Sequence, residues 1–230
     1  MKGIEHIFFD LDHTLWDYDR NSEIALDQLY DQFSLDLVGI PSKSQFISIF
    51  HKANLTVWNL FDENRMNRDE LRNKRMELVY EEFGISEPPP EGFHEAYYAI
   101  CSNGKHLIPG TLEILSWLQG RYRLHIITNG FEDAQHEKLR HSRIANYFET
   151  VTTSERADSK KPDPVYFEFA LYQASANIEN SLVIGDGLRT DVTGARRFGL
   201  PVIWFNPEHA LPPFEDLAFI TRLPDLKTML

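Results

Sequence analysis

The chain has 230 residues, of which 42 % are hydrophobic, enough for one sizeable core and a smaller second lobe. Its net charge of −12 at neutral pH, from 23 Lys and Arg against 35 Asp and Glu, argues against binding of a nucleic acid polymer. The single cysteine, Cys101, excludes an internal disulfide and fits a reducing compartment. No apolar stretch is long enough for a membrane-spanning helix, so we expect a cytoplasmic protein without a membrane partner.

Short apolar runs predict the strands of a parallel sheet. The first run, HIFF after Glu5, ends at a carboxylate and is continuous, which is typical of a strand covered on both faces. Further runs predict strands at 124–128, 149–153, 181–185 and 201–205. Helical patterns between them span 111–118, 131–139, 164–173 and 190–198. This alternation indicates an α/β fold with a doubly wound, Rossmann-like parallel sheet, whose ligands bind at the carboxyl ends of the strands.

One long segment interrupts the alternation and contains only helical patterns. It covers residues 16–105, which leaves 1–15 and 106–230 for the α/β catalytic core. After Ser42 an apolar stripe recurs at helical spacing, and Asn67 with Glu70 forms a capping-box signal for a further helix. The stripe consists of Phe46, Phe50, Ala53, Val57 and Phe61. We therefore predict an all-helical cap domain inserted after the first strand.

Polar residues follow the first two predicted strands. Asp10 and Asp12 end the first, two residues apart, so that both carboxylates can reach one site if a cation or a proton offsets their repulsion. An Asx turn explains the same pair equally well. Thr128 and Asn129, before Gly130, offer a hydroxyl and N–H groups to an anion, or simply an N-cap for the next helix.

Polar residues also follow the later strands. Lys161 precedes Pro162, which favours an extended backbone and suits either a fixed charge for phosphate or a solvated loop lysine. Asp186 and Asp191 could bind a hard cation or stabilise a helix N-terminus. Each feature has a structural explanation of its own. Their occurrence together, at the ends of successive strands, points to one site.

These residues, in this order, resemble the motifs of the haloacid dehalogenase-like superfamily of phosphohydrolases over residues 4–206. Thr14 completes the first of these motifs, Asp-x-Asp-x-Thr. The resemblance implies that Asp10 is a nucleophile that forms an aspartyl-phosphate. It implies that Asp12 protonates the leaving oxygen and later deprotonates water. The phosphoryl oxygens would be held by Thr128, Asn129 and Lys161.

The same resemblance implies a Mg²⁺ cofactor. Asp10 and Asp186 would bind the ion directly, Asp12 through its backbone carbonyl, and Asp191 directly or through water. Oxygen ligands suit this hard cation, and its charge would offset the negative charge that builds up during phosphoryl transfer.

Some details resemble one branch, the house-cleaning pyrimidine 5′-nucleotidases. These are His13 where the superfamily commonly has glycine, Ile127 to Phe131, and Val57-Trp58 with Phe61. His13 is an additional acid, a substrate contact or, in our preferred interpretation, a hydrogen-bonded turn residue. Trp58 lies about 100° round the helix from Val57, off the apolar stripe, and either packs on another cap helix or stacks on a nucleobase.

The sequence therefore predicts a Mg²⁺-dependent hydrolase of small phosphorylated metabolites, with a pyrimidine nucleoside 5′-monophosphate as the first candidate. A sugar phosphate or phosphoglycolate phosphatase and a β-phosphoglucomutase-like mutase remain open, because the cap sets the substrate. A haloacid dehalogenase would lack the second aspartate, which is present here as Asp12. A non-enzymatic regulator would have lost a catalytic group, and none is lost. The oligomeric state stays open.

Overall fold

The computed structural model describes residues 3–230, and the chain divides into two compact units. One unit runs to Tyr18 and resumes at Lys105, and the other is Asp19–Gly104. The helices, in chain order, are α1 (Tyr18–Gln32), α2 (Lys43–Asp62), α3 (Arg68–Glu82), α4 (Phe93–Ser102), α5 (Thr111–Leu118), α6 (Glu132–His141), α7 (Ser154–Ala157), α8 (Pro164–Ala174) and α9 (Gly194–Phe198).

Parallel strands form the sheet of the first unit. In the part of the chain from residue 3 onward there are six, in the order β3-β2-β1-β4-β5-β6. They are β1 (His6–Phe9), β2 (Arg123–Thr128), β3 (Thr150–Thr153), β4 (Ser181–Gly185), β5 (Val202–Phe205) and β6 (Phe219–Ile220). Since β1 lies between β2 and β4, with Phe9 beside Ile126 and Ile184, the residues after these strands meet at one edge.

The α/β prediction is confirmed, with differences at two places. The five predicted strands are present, and β6 is an additional strand too short to leave an apolar run in the sequence. Apolar side chains of the sheet pack against α8, where Phe8, Val183 and Phe167 belong to one buried cluster. No helix within residues 3–230 is long and apolar enough to cross a membrane.

The second difference concerns the predicted helix 190–198. The chain there forms a π-helical segment, Leu188–Thr193, before α9. Within it the Asp191 carboxylate accepts a hydrogen bond from the Gly187 N–H at 3.0 Å. A Cβ atom at Gly185 would lie 2.5 Å from this carboxylate, so a glycine is needed where the segment folds back on the strand end.

The second unit is helical in its described residues and has its own core. Ser42 caps α2, and the capping box of Asn67 and Glu70 begins α3, with hydrogen bonds of 2.8 and 3.0 Å. The predicted apolar stripe of α2 is buried throughout. One of its rings, Phe50, packs 4.9 Å from Tyr97 of α4, so the stripe holds the helices of this unit together.

Candidate active site

Three carboxylates gather at the carboxyl end of the sheet. Asp10 follows β1, Asp186 follows β4, and Asp191 lies in the π-helical segment. One oxygen of each lies within 4.8 Å of the others, which makes this a possible metal site among the described residues. The structure thus brings together three of the predicted site residues that lie far apart in the sequence.

Lys161 supplies a positive charge to this group. Its Nζ atom lies 2.6 Å from Oδ1 of Asp10, 2.6 Å from Oδ1 of Asp191 and 3.1 Å from the carbonyl oxygen of Ile127. The lysine is only 2 % exposed, so it is not the solvated loop residue that the sequence left open. Two of its three donors are directed at carboxylates of the site and the third at the backbone of β2.

Burial and repulsion shape the electrostatics here. Burial raises the pKa of the Asp10 carboxyl well above its ordinary value, Lys161 opposes that shift, and the charges of Asp191 and Asp186 add to it. Burial also raises the pKa of Asp186. For Lys161, burial alone would lower the pKa, but the carboxylates of Asp10 and Asp191 raise it above the usual lysine range. One ammonium therefore faces three carboxylates.

This arrangement fits a Mg²⁺ ion. The donors are all oxygens, the kind of ligand that a hard divalent cation prefers. The excess negative charge of the group makes it more favourable for the carboxylates to bind a cation than to stay ionised without one.

Neighbouring residues fix Asp186. Thr14 Oγ1 donates a hydrogen bond to Asp186 Oδ1 at 2.8 Å and accepts one from the Asp186 N–H at 3.1 Å. Trp204 Nε1 donates to the Asp186 carbonyl oxygen at 2.9 Å.

His13 adopts a left-handed φ of 64° and donates its N–H to the carbonyl of Trp16 at 2.9 Å. Glycine adopts this conformation most easily, and the backbone of His13 makes a hydrogen-bonded turn. Whether its imidazole acts as an additional acid or contacts the substrate stays a prediction.

The loop after β2 is held by its own contacts. Thr128 Oγ1 accepts a hydrogen bond from the Gly130 N–H at 3.0 Å. Asn129 pairs with the backbone of Lys161, accepting from its N–H at 2.8 Å and donating to its carbonyl oxygen at 2.9 Å. That Asn129 binds phosphate stays a prediction. Both ends of the amide are engaged, and they join the second and third motifs.

Asp12 is placed apart from the metal group. Its carboxylate accepts hydrogen bonds from Lys138 Nζ at 2.7 and 2.8 Å and from Gln135 Nε2 at 3.3 Å. The side chain is therefore not one of the gathered metal ligands, because α6 supplies it with a cation of its own. A metal contact through the Asp12 backbone carbonyl stays a prediction.

Two functional candidates, Gln135 and Lys138, escaped the sequence analysis. Both lie on α6 and are buried, three residues apart, on the same side as Ala134 and Leu139. Two polar residues on the inward side of an amphipathic helix were a signal, but their partner, Asp12, is more than a hundred residues away.

Trp58, the predicted substrate contact, belongs to the helical unit. It is partly buried on α2, and its ring meets that of Phe61 edge-on, with centroids 5.5 Å apart. The sequence had placed it off the buried stripe, and its burial agrees with that. Its contact with a nucleobase stays a prediction.

Comparisons with known proteins agree with this geometry. The family described as haloacid dehalogenase-like hydrolase matches residues 7–205. The HAD-hydrolase YfnB of Bacillus subtilis is 31 % identical over 209 residues, covering 90 % of this chain and 86 % of YfnB. A crystal structure of YfnB bound to magnesium matches with a TM-score of 0.89 at 28 % identity, over 100 % of this chain and 99 % of that one.

Two relatives with named substrates also match over most of their length. Pyrimidine 5′-nucleotidase PynA of Streptococcus pneumoniae is 29 % identical over 221 residues, covering 93 % of this chain and 91 % of PynA. Glyceraldehyde 3-phosphate phosphatase of Pyrococcus abyssi is 30 % identical over 207 residues, covering 88 % of this chain and 82 % of the relative. The chain therefore belongs to the haloacid dehalogenase-like hydrolases and is a phosphoric monoester hydrolase.

Proposed function

We propose that this hydrolase is a Mg²⁺-dependent phosphatase that works through an aspartyl-phosphate on Asp10, with pyrimidine nucleoside 5′-monophosphates as its substrates. The observation that carries the proposal is the group of Asp10, Asp191 and the half-buried Asp186, with the buried Lys161, at the carboxyl end of the sheet. It combines a carboxylate nucleophile, a fixed cation and oxygen ligands for a metal in one place.

The chemistry divides into two transfers. In the first, an oxygen of Asp10 bonds to phosphorus, the bond from phosphorus to the ester oxygen breaks, and Asp12 gives that oxygen a proton. In the second, Asp12 takes a proton from water, the water oxygen bonds to phosphorus, and Asp10 leaves as a carboxylate with release of phosphate. In this proposal Lys161 neutralises charge on the phosphoryl oxygens, and its contact with Asp10 Oδ1 at 2.6 Å supports that role.

A Mg²⁺ ion bound by Asp10 and Asp186, with Asp191 directly or through water, would add charge neutralisation and in-line orientation of the phosphoryl group. Chelation is expected to abolish turnover, and added Mg²⁺ to restore it. Binding should also raise the thermal unfolding midpoint, since a ligand at about 100 times its Kd stabilises by about 2.7 kcal/mol. Asp186→Asn should reduce this stabilisation. Turnover of a phosphate ester in excess chelator would contradict the metal assignment.

The nucleotide substrate is supported by two observations. PynA acts on pyrimidine nucleotides and matches nearly the whole chain. The partly buried ring of Trp58 is of the kind that stacks on bases. The phosphatase of P. abyssi favours a second candidate, a triose phosphate, which is one of the sugar phosphates that the sequence left open.

A substrate panel with Mg²⁺ separates the two candidates. It should compare UMP, dUMP and dTMP with glyceraldehyde 3-phosphate, hexose phosphates and phosphoglycolate, with Asp10→Asn as the inactive control. We expect the highest kcat/KM for the pyrimidine nucleotides. A panel led by sugar phosphates would remove the nucleotidase proposal and leave the phosphatase chemistry intact, whereas dehalogenation of a haloacid without phosphatase activity would remove both.

A further inference from the structure

The acid–base residue of the proposed mechanism is held by a second group of side chains, separate from the metal group. Asp12 is 24 % exposed in its side chain and lies in the loop after β1, where a carboxylate has two rotatable bonds to order. Lys138 Nζ reaches both of its oxygens, at 2.7 and 2.8 Å, and Gln135 Nε2 reaches one of them at 3.3 Å. Charge-assisted bonds to both oxygens restrict the carboxylate to one orientation.

Lys138 is itself rigidly placed. Its side chain is only 7 % exposed, and its Nζ atom lies 4.7 Å from the ring centroid of Trp16 and 5.9 Å from that of Tyr18. Trp16 is fully buried, so the lysine lies against a fixed aromatic surface. The cation that holds Asp12 is therefore fixed before any substrate binds.

Gln135 connects Asp12 with the loop after β2. A Cβ atom at Gly130 would lie 1.9 Å from Gln135 Nε2, so the glycine leaves the room that the amide occupies. The other amide atom, Oε1, is buried and has no donor among the described protein groups. An apolar side chain would avoid that unpaired acceptor, so packing alone does not explain a glutamine here, whereas its bond to Asp12 does.

We propose that Lys138 and Gln135 are positioning residues that orient the Asp12 carboxylate for proton transfer. The inference rests on the proposed function, because it assigns them an effect only through the acid–base role of Asp12. Neither residue touches the three gathered carboxylates through a hydrogen bond in the described structure. Their contribution is to the orientation of the Asp12 side chain, whose protonated carboxyl must lie within hydrogen-bond reach of the ester oxygen in the first transfer.

The test compares Lys138→Met with wild type on an alkyl phosphate, whose leaving oxygen needs a proton, and on p-nitrophenyl phosphate, whose leaving group does not. We expect turnover of the alkyl ester to fall roughly 10- to 100-fold, since small misplacements of a catalytic group have effects of this size. The first-turnover release of nitrophenol should change far less. Lys138→Arg should restore part of the loss. Arg140→Met, at an exposed position on the same helix, is the matched control and should behave as wild type.

A double variant separates positioning from a general structural effect. In the Asp12→Ala background, adding Lys138→Met should change turnover by less than about twofold, because the lysine acts through the missing carboxylate. A further large loss there, or equal losses on both esters in the single variant, would overturn the inference. Wild-type rates for Lys138→Met would overturn it as well.

The proposed function fails in a different way from this inference. If Asp12→Ala alone kept normal turnover, the acid–base assignment itself would be wrong.

If Lys138→Met does not fold, Gln135→Met replaces it in the test. That variant removes the amide bond to Asp12 at similar size and should show a smaller loss with the same dependence on the leaving group.

Discussion

Two groups of polar side chains lie near the two ends of β1, one acidic and one made of histidines. At the carboxyl end, after β1 and β4, Asp10 and Asp191 share one buried cation, Lys161, and Asp186 lies beside them. Toward the amino end of β1, His6 is buried and stacked on His125 from the middle of β2, with Nδ1 of His6 3.0 Å from Nε2 of His125. The first group gathers three carboxyl groups around one ammonium, whereas the second consists of two neutral imidazoles that hydrogen-bond to each other.

Burial shifts the pKa values of both groups toward their neutral forms. Burial raises the pKa of Asp10, whereas burial, together with His6, lowers the pKa of His125 to about 4. Buried charge that is poorly compensated is common where a protein binds a ligand or a metal, and buried neutral imidazoles belong to ordinary packing. Substitutions at the carboxyl end should therefore affect turnover, and substitutions at the amino end should affect stability.

The largest expected effect is that of Asp10→Asn. An amide is close in shape to the carboxylate but is a far poorer nucleophile and a weaker metal ligand. Turnover should fall more than about a hundredfold, which corresponds to roughly 2.7 kcal/mol of barrier. Urea denaturation should give a midpoint no lower than wild type, since the change removes a buried negative charge. Turnover above that limit would show that Asp10 is not the nucleophile.

The buried histidine pair predicts that the stability of the protein depends on pH. The pKa of His125 is about 4 in the folded protein and near 6.5 in the unfolded chain, so the unfolded state binds a proton first as the pH falls. The contribution of neutral His125 to the free energy of unfolding is fully present above about pH 6.5 and is lost progressively as the pH falls to about 4. Between about pH 7.5 and about pH 5 the free energy of unfolding should fall by about 2 kcal/mol on its account.

The matched variant for this prediction is His125→Gln, which can still bond to the neighbouring Thr150 hydroxyl, 2.9 Å from the histidine ring. Its urea denaturation should depend less steeply on pH than that of wild type over the same range, while its turnover at neutral pH stays normal. An unchanged pH dependence would show that His125 does not carry the effect. A loss of turnover with normal stability would remove the contrast between the two ends.

The smallest effect concerns the helical unit. If Trp58 stacks on a base, Trp58→Ala should lower kcat/KM for pyrimidine nucleotides about tenfold, within the roughly 1–3 kcal/mol that such contacts contribute. Turnover of p-nitrophenyl phosphate should change little. Leu55→Ala, at an exposed position of the same helix, is the control. Equal losses on both substrates would indicate that the tryptophan has a packing role.

The sequence predicted the strand ends well because continuous apolar runs and the following polar residues are local signals. Asp10 and Asp186 could be placed together because parallel strands end at the same edge of a sheet. The burial of Lys161 between two carboxylates could not be predicted, since Lys-Pro occurs equally in solvated loops. Neither could the side-chain role of Asn129, which depends on the distance between two loops.

Other features could not be predicted because they depend on tertiary contacts. The separation of Asp12 from the metal group follows from Lys138 and Gln135, whose meaning appears only when α6 is packed beside the loop after β1. The π-helical segment likewise follows from the fold of Asp191 back onto Gly187 and Lys161. A helical pattern in the sequence does not distinguish a π-helical turn from an α-helical one.

The central claim, covalent catalysis by Asp10, is tested most directly by trapping the intermediate. The Asp12→Ala variant with Mg²⁺ and p-nitrophenyl phosphate should release a burst of no more than one nitrophenol per site, because the second transfer lacks its base. Acid quenching during the slow phase, followed by peptide mass mapping, should then show one added phosphoryl group on the peptide that contains Asp10. Normal steady turnover without a burst, or a phosphoryl group on any other residue, would contradict the account.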